Sequence, residues 1–446
     1  MKQKLIITLY ALTTNAAAFA GTAFVNVNII TMTDESIVRG QTVIIEGRVI
    51  EAMGPVESVP VPGDALVVDG TDRYLLPGLA EMHAHVPEAE SPDLERVLAL
   101  FAANGVTTIR GMLGHASHLQ LRRQLLDGEI FGPRLITSGP SLNGNSVSGP
   151  LDAEQKVRSQ HAAGYDFIKI HPGLTASEYA RIATTAKELG MPFAGHVPVA
   201  VGVEGALDAG MATIDHLDGY LAALMPSDSD PSGGYGGFFD VLLAGQLIEG
   251  RIAAIAGRTA ESVTWNVPTE ALFEHRVADI PITDLQNRPE MRYVPKATAE
   301  QWLRTRERQQ NERGFSPAIA TRAVAIRRKL ILALHDAGAG LLLGSDAPQV
   351  FNVPGFSAHH ELAFLVAAGL TPFEALQTGT TAVAHFLGSN TGVVAVGRDA
   401  DLLLLDADPL EDIANTRRIH GVMLRGIWYP ARDLDRRLTV YRQQDD

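Results

Sequence analysis

Leu75-Leu76-Pro77-Gly78-Leu79-Ala80-Glu81-Met82-His83-Ala84-His85 decides how the chain is read, because an apolar run ends there in two histidines one residue apart. Side chains two apart on a β-strand point to the same face, so His83 and His85 can offer two imidazoles to one metal ion. A His-x-His pair by itself also fits core or surface histidines. The reading therefore depends on what the chain supplies downstream.

After this segment, strand-like and helix-like stretches alternate, which is the pattern of a parallel sheet with crossover helices. Ser91-Pro92-Asp93-Leu94 predicts a helix start with a serine cap, closed by Asn104-Gly105. Further strands are expected at 106–110, 134–138, 166–170, 192–196, 212–216, 263–267 and 340–344. With the 75–85 run they make eight, as a (β/α)8 TIM barrel requires. Thr175-Ala176-Ser177-Glu178 and Thr371-Pro372-Phe373-Glu374 read as capping boxes at helix starts. Short β-segments at 23–27, 42–45 and 49–53, and again at 401–405 and 421–429, put β-rich pieces at both ends of the chain. The expected organisation is an α/β protein: a barrel over 75–390 and a small composite β-sandwich built from 21–74 and 391–446. The 130 residues between His216 and Asp346 exceed what one strand and its helices need, so an insertion over about 224–315 is expected beside the site.

Composition narrows the class. Of 446 residues, 46% are hydrophobic and 20% charged, as in ordinary globular proteins, and the net charge of -14 argues against nucleic-acid or anionic-membrane partners. Cysteine is absent, which removes disulfides, thiolate metal sites and cysteine nucleophiles. Lys2 and Lys4, the apolar stretch 5–20 and the ending Ala18-Phe19-Ala20 predict a signal peptide over 1–20, hence a periplasmic or secreted protein. The stretch is too short to span a bilayer, so no membrane contact is expected after cleavage.

Polar outliers fall at the ends of the expected strands: His83 and His85 on the first, Lys169 on the fourth, His196 on the fifth, His216 on the sixth and Asp346 after the eighth. In a (β/α)8 barrel those ends converge on one mouth. Singly, His196 and His216 fit structural histidines, and Asp346 fits a helix cap. Lys169 stands out, because a lysine inside Phe167-Ile168-Lys169-Ile170 is costly to bury unless its charge is paired or removed. Carboxylation of its amine by carbon dioxide is one solution, giving a carbamate that can bridge two metal ions.

Leu76-Pro77-Gly78-Leu79 with His83 and His85, Ile168-Lys169-Ile170, Gly195-His196-Val197, Ile214-Asp215-His216 and Gly344-Ser345-Asp346 together resemble the amidohydrolase superfamily. Within it the chain is most similar to the imidazolonepropionase-like branch that includes Xaa-Pro dipeptidases, carboxypeptidases and ochratoxin amidohydrolases. The resemblance implies that His83, His85 and Asp346 hold one metal, that His196 and His216 hold a second, and that carboxylated Lys169 bridges both. Zinc is the expected metal of the two divalent ions, with manganese, cobalt or iron as alternatives for such ligands. Imidazolonepropionases themselves and the related deaminases use one metal and lack the bridging lysine, so Lys169 favours a binuclear hydrolase.

Two cations can lower the pKa of a shared water, so that hydroxide is available near neutrality to attack an amide carbonyl. Asp346, as its counterpart does in the family, would carry the proton from that water to the leaving amine. Substrate contacts are expected from Tyr220, His171, His115 and His360, with Glu361 beside His360 orienting a loop near Asp346. Arg110 is expected to pair with a carboxylate. The expected substrate is a dipeptide or an N-acyl amino acid such as an ochratoxin-type amide, and a homo-oligomer is expected. The alternatives are an ester or lactone hydrolase on the same metal site and a non-catalytic periplasmic binding protein.

Overall fold

The computed structural model describes residues 21–226 and 236–443. The signal peptide expected over 1–20 and most of the Gly/Ser/Pro-rich stretch 227–237 lie outside the described residues. Among the described residues the strands run β1 (Gly21–Ile30), β2 (Ile37–Glu46), β3 (Val49–Pro55), β4 (Leu66–Asp69) and β5 (Tyr74–Pro77). There follow β6 (Leu79–Ala84), β7 (Val106–Gly111), β8 (Arg134–Thr137), β9 (Ile168–Ile170), β10 (Phe193–Gly195), β11 (Thr213–Asp215) and β12 (Trp265–Val267). The chain closes with β13 (Leu402–Leu405), β14 (Ile419–Leu424) and β15 (Ile427–Pro430).

The middle of the chain is α/β. Strands β6, β7 and β8 form one parallel sheet, β9 to β12 form a second, and helices connect them. Isolated parallel bridges join Ser138 to Phe167, Asn266 to Leu341 and Ala84 to Ala347. The segment expected as the eighth strand is thus present as single bridges rather than a continuous ladder. All six residues of β6 are buried, which matches a parallel strand covered on both faces, with Glu81 and His83 as its polar members.

The 75–85 run is not one strand. It divides at Gly78: β5 pairs with β1 and β13, whereas β6 pairs with β7. A Cβ at Gly78 would lie 2.2 Å from Thr107 Cγ2, so only glycine lets the chain pass from one sheet to the other so closely. The two ends of the chain meet in a single eight-stranded sheet, ordered β15-β14-β13-β5-β1-β2-β3 with β4 beside β1, rather than in two separately bonded layers. Bulges along β1 let this long strand serve β2, β4 and β5 in turn, so the sheet wraps its own core. A further correction concerns 421–429, which is a hairpin: Arg425 and Gly426 both have positive φ, the signature of a two-residue turn between β14 and β15.

The leucine runs explain how the sheet is fastened to the rest. Leu75, Leu402 and Leu404 face the sheet's own core with Phe24, Val43 and Met423. Leu76, Leu403 and Leu405 point the other way, into the main core around Leu79, Phe101 and Val106. Period-2 geometry splits each run between two cores, so every position must be apolar. Both capping boxes form, Thr175 with Glu178 and Thr371 with Glu374. The helix expected to be capped at Ser91 starts two residues later than that, as Leu94–Ala103 with Asp93 in the cap position, because Ser91 and Pro92 close a turn in which the Ser91 carbonyl accepts from Leu94 N–H.

The described part of 224–315 carries a 3-10 segment at Phe238–Gln246, the helix Ile252–Ala260, β12 and the helices Glu270–Val277 and Lys296–Gln310. No helix among the described residues is long and apolar enough to cross a membrane.

Leu403 is fully buried at the join between the terminal sheet and the main core. Leu403→Ala should lower the unfolding free energy by about 2–5 kcal/mol, read from urea denaturation curves, because the cavity lies where neither sheet can close over it.

Candidate metal centre

Four histidines, a lysine and an aspartate converge at the C-terminal ends of the parallel strands. His83 lies on β6 with His85 just beyond its end, Lys169 lies in β9, His196 and His216 follow β10 and β11, and Asp346 follows the Leu341 bridge. Backbone pairing places the first and last of these together: Met82 N–H donates to Leu343 O (2.8 Å), Asp346 N–H to His83 O (2.9 Å) and His85 N–H to Ala347 O (2.8 Å). One ligand atom each from His83, His85 and Asp346 lies within 4.8 Å of the others. His85 Nε2 is 2.7 Å and His83 Nε2 3.7 Å from Asp346 Oδ1. The His216 ring is 4.4 Å from that of His83 and 4.6 Å from that of His196.

Lys169 is 1% exposed and its Nζ has no hydrogen-bond partner, the nearest carboxylate oxygen being Asp215 Oδ2 at 3.8 Å. Burial lowers its pKa, favouring the neutral amine. Space for it comes from Gly195, where φ is +123° and a Cβ would lie 2.8 Å from Lys169 Cδ. The donor set fits divalent cations: neutral imidazoles held far below their ordinary pKa by burial at His83 and His216, and buried atoms at Lys169 Nζ and Asp346 Oδ1 without hydrogen-bond partners.

Three of the histidines have their Nδ1 close to a residue that the sequence reading did not single out, and at His196 and His216 the contact is a hydrogen bond. His83 Nδ1 lies 3.0 Å from Asp215 Oδ2, His196 Nδ1 3.0 Å from Asp218 Oδ2, and His216 Nδ1 2.9 Å from Thr269 Oγ1. The hydrogen-bonded partners Asp218 and Thr269 fix tautomer and ring orientation at His196 and His216, leaving Nε2 for an ion, whereas the His83–Asp215 contact is a close contact without a hydrogen bond. Asp215 is itself held by Arg110 (3.3 Å) and Thr213 (2.7 Å), so Arg110 pairs with a carboxylate, as expected. Thr269 sits at φ +50°, rare for a β-branched residue, and its surroundings are clamped. Arg327 donates to His216 O, Pro268 O and Glu270, while Glu361 accepts from the backbone N–H groups of Glu270 and Ala271. Glu361 thus acts on the loop that carries Thr269, not on the loop at Asp346. A buried Asp in Thr213-Ile214-Asp215 was a visible signal in the sequence, whereas Asp218 and Thr269 carried none.

Glu81 ties the two ends of the centre. It accepts from Ser345 N–H and Ser345 Oγ at 2.6 Å each and from His83 N–H at 3.2 Å, and burial pushes its carboxyl up to about 8. Among the expected substrate contacts, His171 lies against His196 with ring centres 5.0 Å apart. Tyr220 is fully buried, its hydroxyl donating to Asn266 Oδ1 (2.9 Å) and shared with Thr259, so it faces the core rather than the mouth. His115 lies beside Ser117 and Glu88 near the surface. His360 is buried against Glu290 and Arg288. A cavity of about 1120 Å3 opens among Arg134, Phe167, Phe193, Trp265 and Phe386, at the opposite ends of the strands from the cluster.

Strands feeding their C-terminal ends into a buried cluster of imidazoles, an amine and a carboxylate give an α/β protein whose grouped side chains could hold metal. The amidohydrolase family profile matches residues 74–428, and the chain belongs to that family, whose members act on C–N bonds. It is 22% identical over 404 residues to ochratoxinase of Aspergillus niger, covering 84% of this chain and 79% of that protein. A bottromycin amidohydrolase superposes with a TM-score of 0.71 at 23% identity, covering 94% of this chain and 90% of the other. A Xaa-Pro dipeptidase with methionine bound in its active site gives 0.65 at 20% identity, covering 92% and 99%.

Thr269→Val should weaken metal retention by about 10- to 100-fold, measured as the chelator concentration that strips the protein, and Thr269→Ser should restore it. Asp240, beside this centre, has its carboxyl pushed up to about 6 by burial and the Asp218 charge. The folded chain therefore holds a proton that the unfolded chain releases near about pH 4, and stability falls as pH rises from there through 6. Asp240→Asn should flatten urea midpoints across that interval.

Proposed function

We propose that the protein is a two-metal amidohydrolase that cleaves the amide bond of a dipeptide or an N-acyl amino acid, on a (β/α)8 barrel whose eighth strand is the 341–347 segment. The bridges at Ser138–Phe167, Asn266–Leu341 and Ala84–Ala347 support the barrel, since they join β8 to β9, β12 to that segment and that segment to β6. Lys169 carries the two-metal reading. It is a buried amine without a hydrogen-bond partner, set among four imidazoles and two carboxylates, where a carbamate would have ions to bridge and a bare ammonium would not be favoured. His83, His85 and Asp346 would hold one ion and His196 and His216 the other. Bound there, the ions supply Lewis acidity and an activated water.

The chain's own groups do the remainder. Asp346 lies between His85 and His216, 2.7 Å and 3.8 Å away, with Oδ1 free of hydrogen bonds. It is placed to accept a proton from the attacking water and to return it to the leaving amine nitrogen. Its position is rigid, because Glu81 holds Ser345 and the backbone of Asp346 is bonded to His83. Asp218 and Thr269 keep the His196 and His216 imidazoles oriented through the cycle, with Asp215 3.0 Å from His83 Nδ1. The amide substrates of the similar ochratoxinase and dipeptidase support the substrate class, and the charged-apolar start of the chain supports export.

Metal analysis of the purified protein should give about two divalent ions per chain, falling sharply in Lys169→Ala; unchanged content would remove the bridging role. Asp346→Asn should lower kcat by about 10²- to 10⁴-fold on a dipeptide or N-acyl amino acid found by mass-spectrometric screening. Near-normal turnover would reject Asp346 as proton carrier, and hydrolysis of esters without amides would replace the amide reading.

A further inference from the structure

His216 is 1% exposed although it stands at the mouth, and the covering group is an aromatic ring from the insertion. Phe239 lies parallel to the His216 imidazole, 4.6 Å between centres and 12° between planes, and extends toward His196 at 6.2 Å and 28°. His216 in turn is 3.8 Å from Asp346, so this ring stands one imidazole away from the group that handles the proton. Phe239 is itself only partly buried.

The ring is held in place by a stack of its own. Phe238 packs against it at 4.1 Å, the Arg276 guanidinium lies 3.7 Å over Phe238, and Phe273 runs parallel to Phe238 at 6.4 Å. Behind them sit Val241, Ala244, Val277 and Ala323. Phe239 and Asp240 have φ of +48° and +60° within the Phe238–Gln246 segment. Two consecutive non-glycine residues in the left-handed region persist only where surroundings hold them, and such positions concentrate at functional sites. Here the uncommon backbone lays a flat apolar surface on two imidazoles of the centre.

We propose that Phe239 is the specificity-determining wall of the site and selects substrates carrying a flat apolar group, aromatic above all, directly beside the scissile amide. The inference rests on the amidohydrolase reading above and narrows its substrate class. A polar substituent against this ring would lose water without gaining a partner, whereas an aromatic one gains both burial and ring packing. A small aliphatic group would leave the ring face wet.

The test compares wild type with Phe239→Ala, Phe239→Leu and Phe239→Trp, metal-loaded, on N-benzoyl-alanine, N-acetyl-phenylalanine and N-acetyl-alanine. Wild type should favour at least one aromatic substrate in kcat/KM. That preference should fall about five- to tenfold in the alanine and leucine variants and persist in the tryptophan variant, with metal content and Tm unchanged. Preference ratios equal to wild type in both the alanine and leucine variants would overturn the proposal, and the leucine variant decides alone if alanine does not fold. Should wild type hydrolyse no amide, the functional reading fails, and Phe239 is then judged by calorimetric binding of benzoate against acetate. A benzoate preference in wild type that the leucine variant loses supports the wall; equal binding of the two acids by wild type, or a preference unchanged in that variant, refutes it.

Discussion

Glu81 and the backbone bonds around it join the first strand of the α/β unit to its last segment, and the centre exists only because of that join. His83 and Asp346 are distant in the chain, yet Met82 N–H reaches Leu343 O and Asp346 N–H reaches His83 O. Glu81 accepts from both sides, from His83 N–H and from Ser345. A carboxyl with 0% exposure is costly to hold, and the donors aimed at it offset part of that cost. With this seam formed, His83, His85 and Asp346 offer atoms within 4.8 Å of one another, and Lys169, His196 and His216 follow the other strands to the same end.

Behind the ligands lies a shell of buried charge that is almost completely paired. Arg110 bridges Met82 O, Thr213 and Asp215; Arg327 bridges His216 O, Pro268 O and Glu270. Buried ion pairs seldom add stability over apolar packing, so their presence points to positioning. Each one ends on a residue that holds a histidine or on the backbone of one. Local rigidity thus comes at the expense of global stability, as expected where geometry within fractions of an ångström governs reactivity.

Much of this was legible in the sequence. The short β-like runs between turn residues and the capping residues Thr175 and Thr371 located strands and helices because these are local effects, decided within a few residues. The lysine in Ile168-Lys169-Ile170 announced itself because its burial contradicts its chemistry. Less legible were features decided by distant partners. Gly78 splits an apparently continuous strand only because Thr107 crowds it, Tyr220 turns to Asn266 and Thr259 rather than to the mouth, and His360 finds Glu290. Thr269 and Phe239 sit in irregular backbone, where no pattern marks them.

By itself the sequence supplied the candidate groups: imidazoles, a carboxylate and a misplaced lysine at expected strand ends, without cysteine. Residue type and spacing suffice to mark those groups, and the resemblance to the amidohydrolases gave them roles. The tertiary structure alone decided that Nδ1 of His196 and of His216 is held, by Asp218 and Thr269, and which surface, the Phe239 ring, covers His216. These depend on contacts between segments tens to hundreds of residues apart, fixed only when the sheets and the insertion close over a common core.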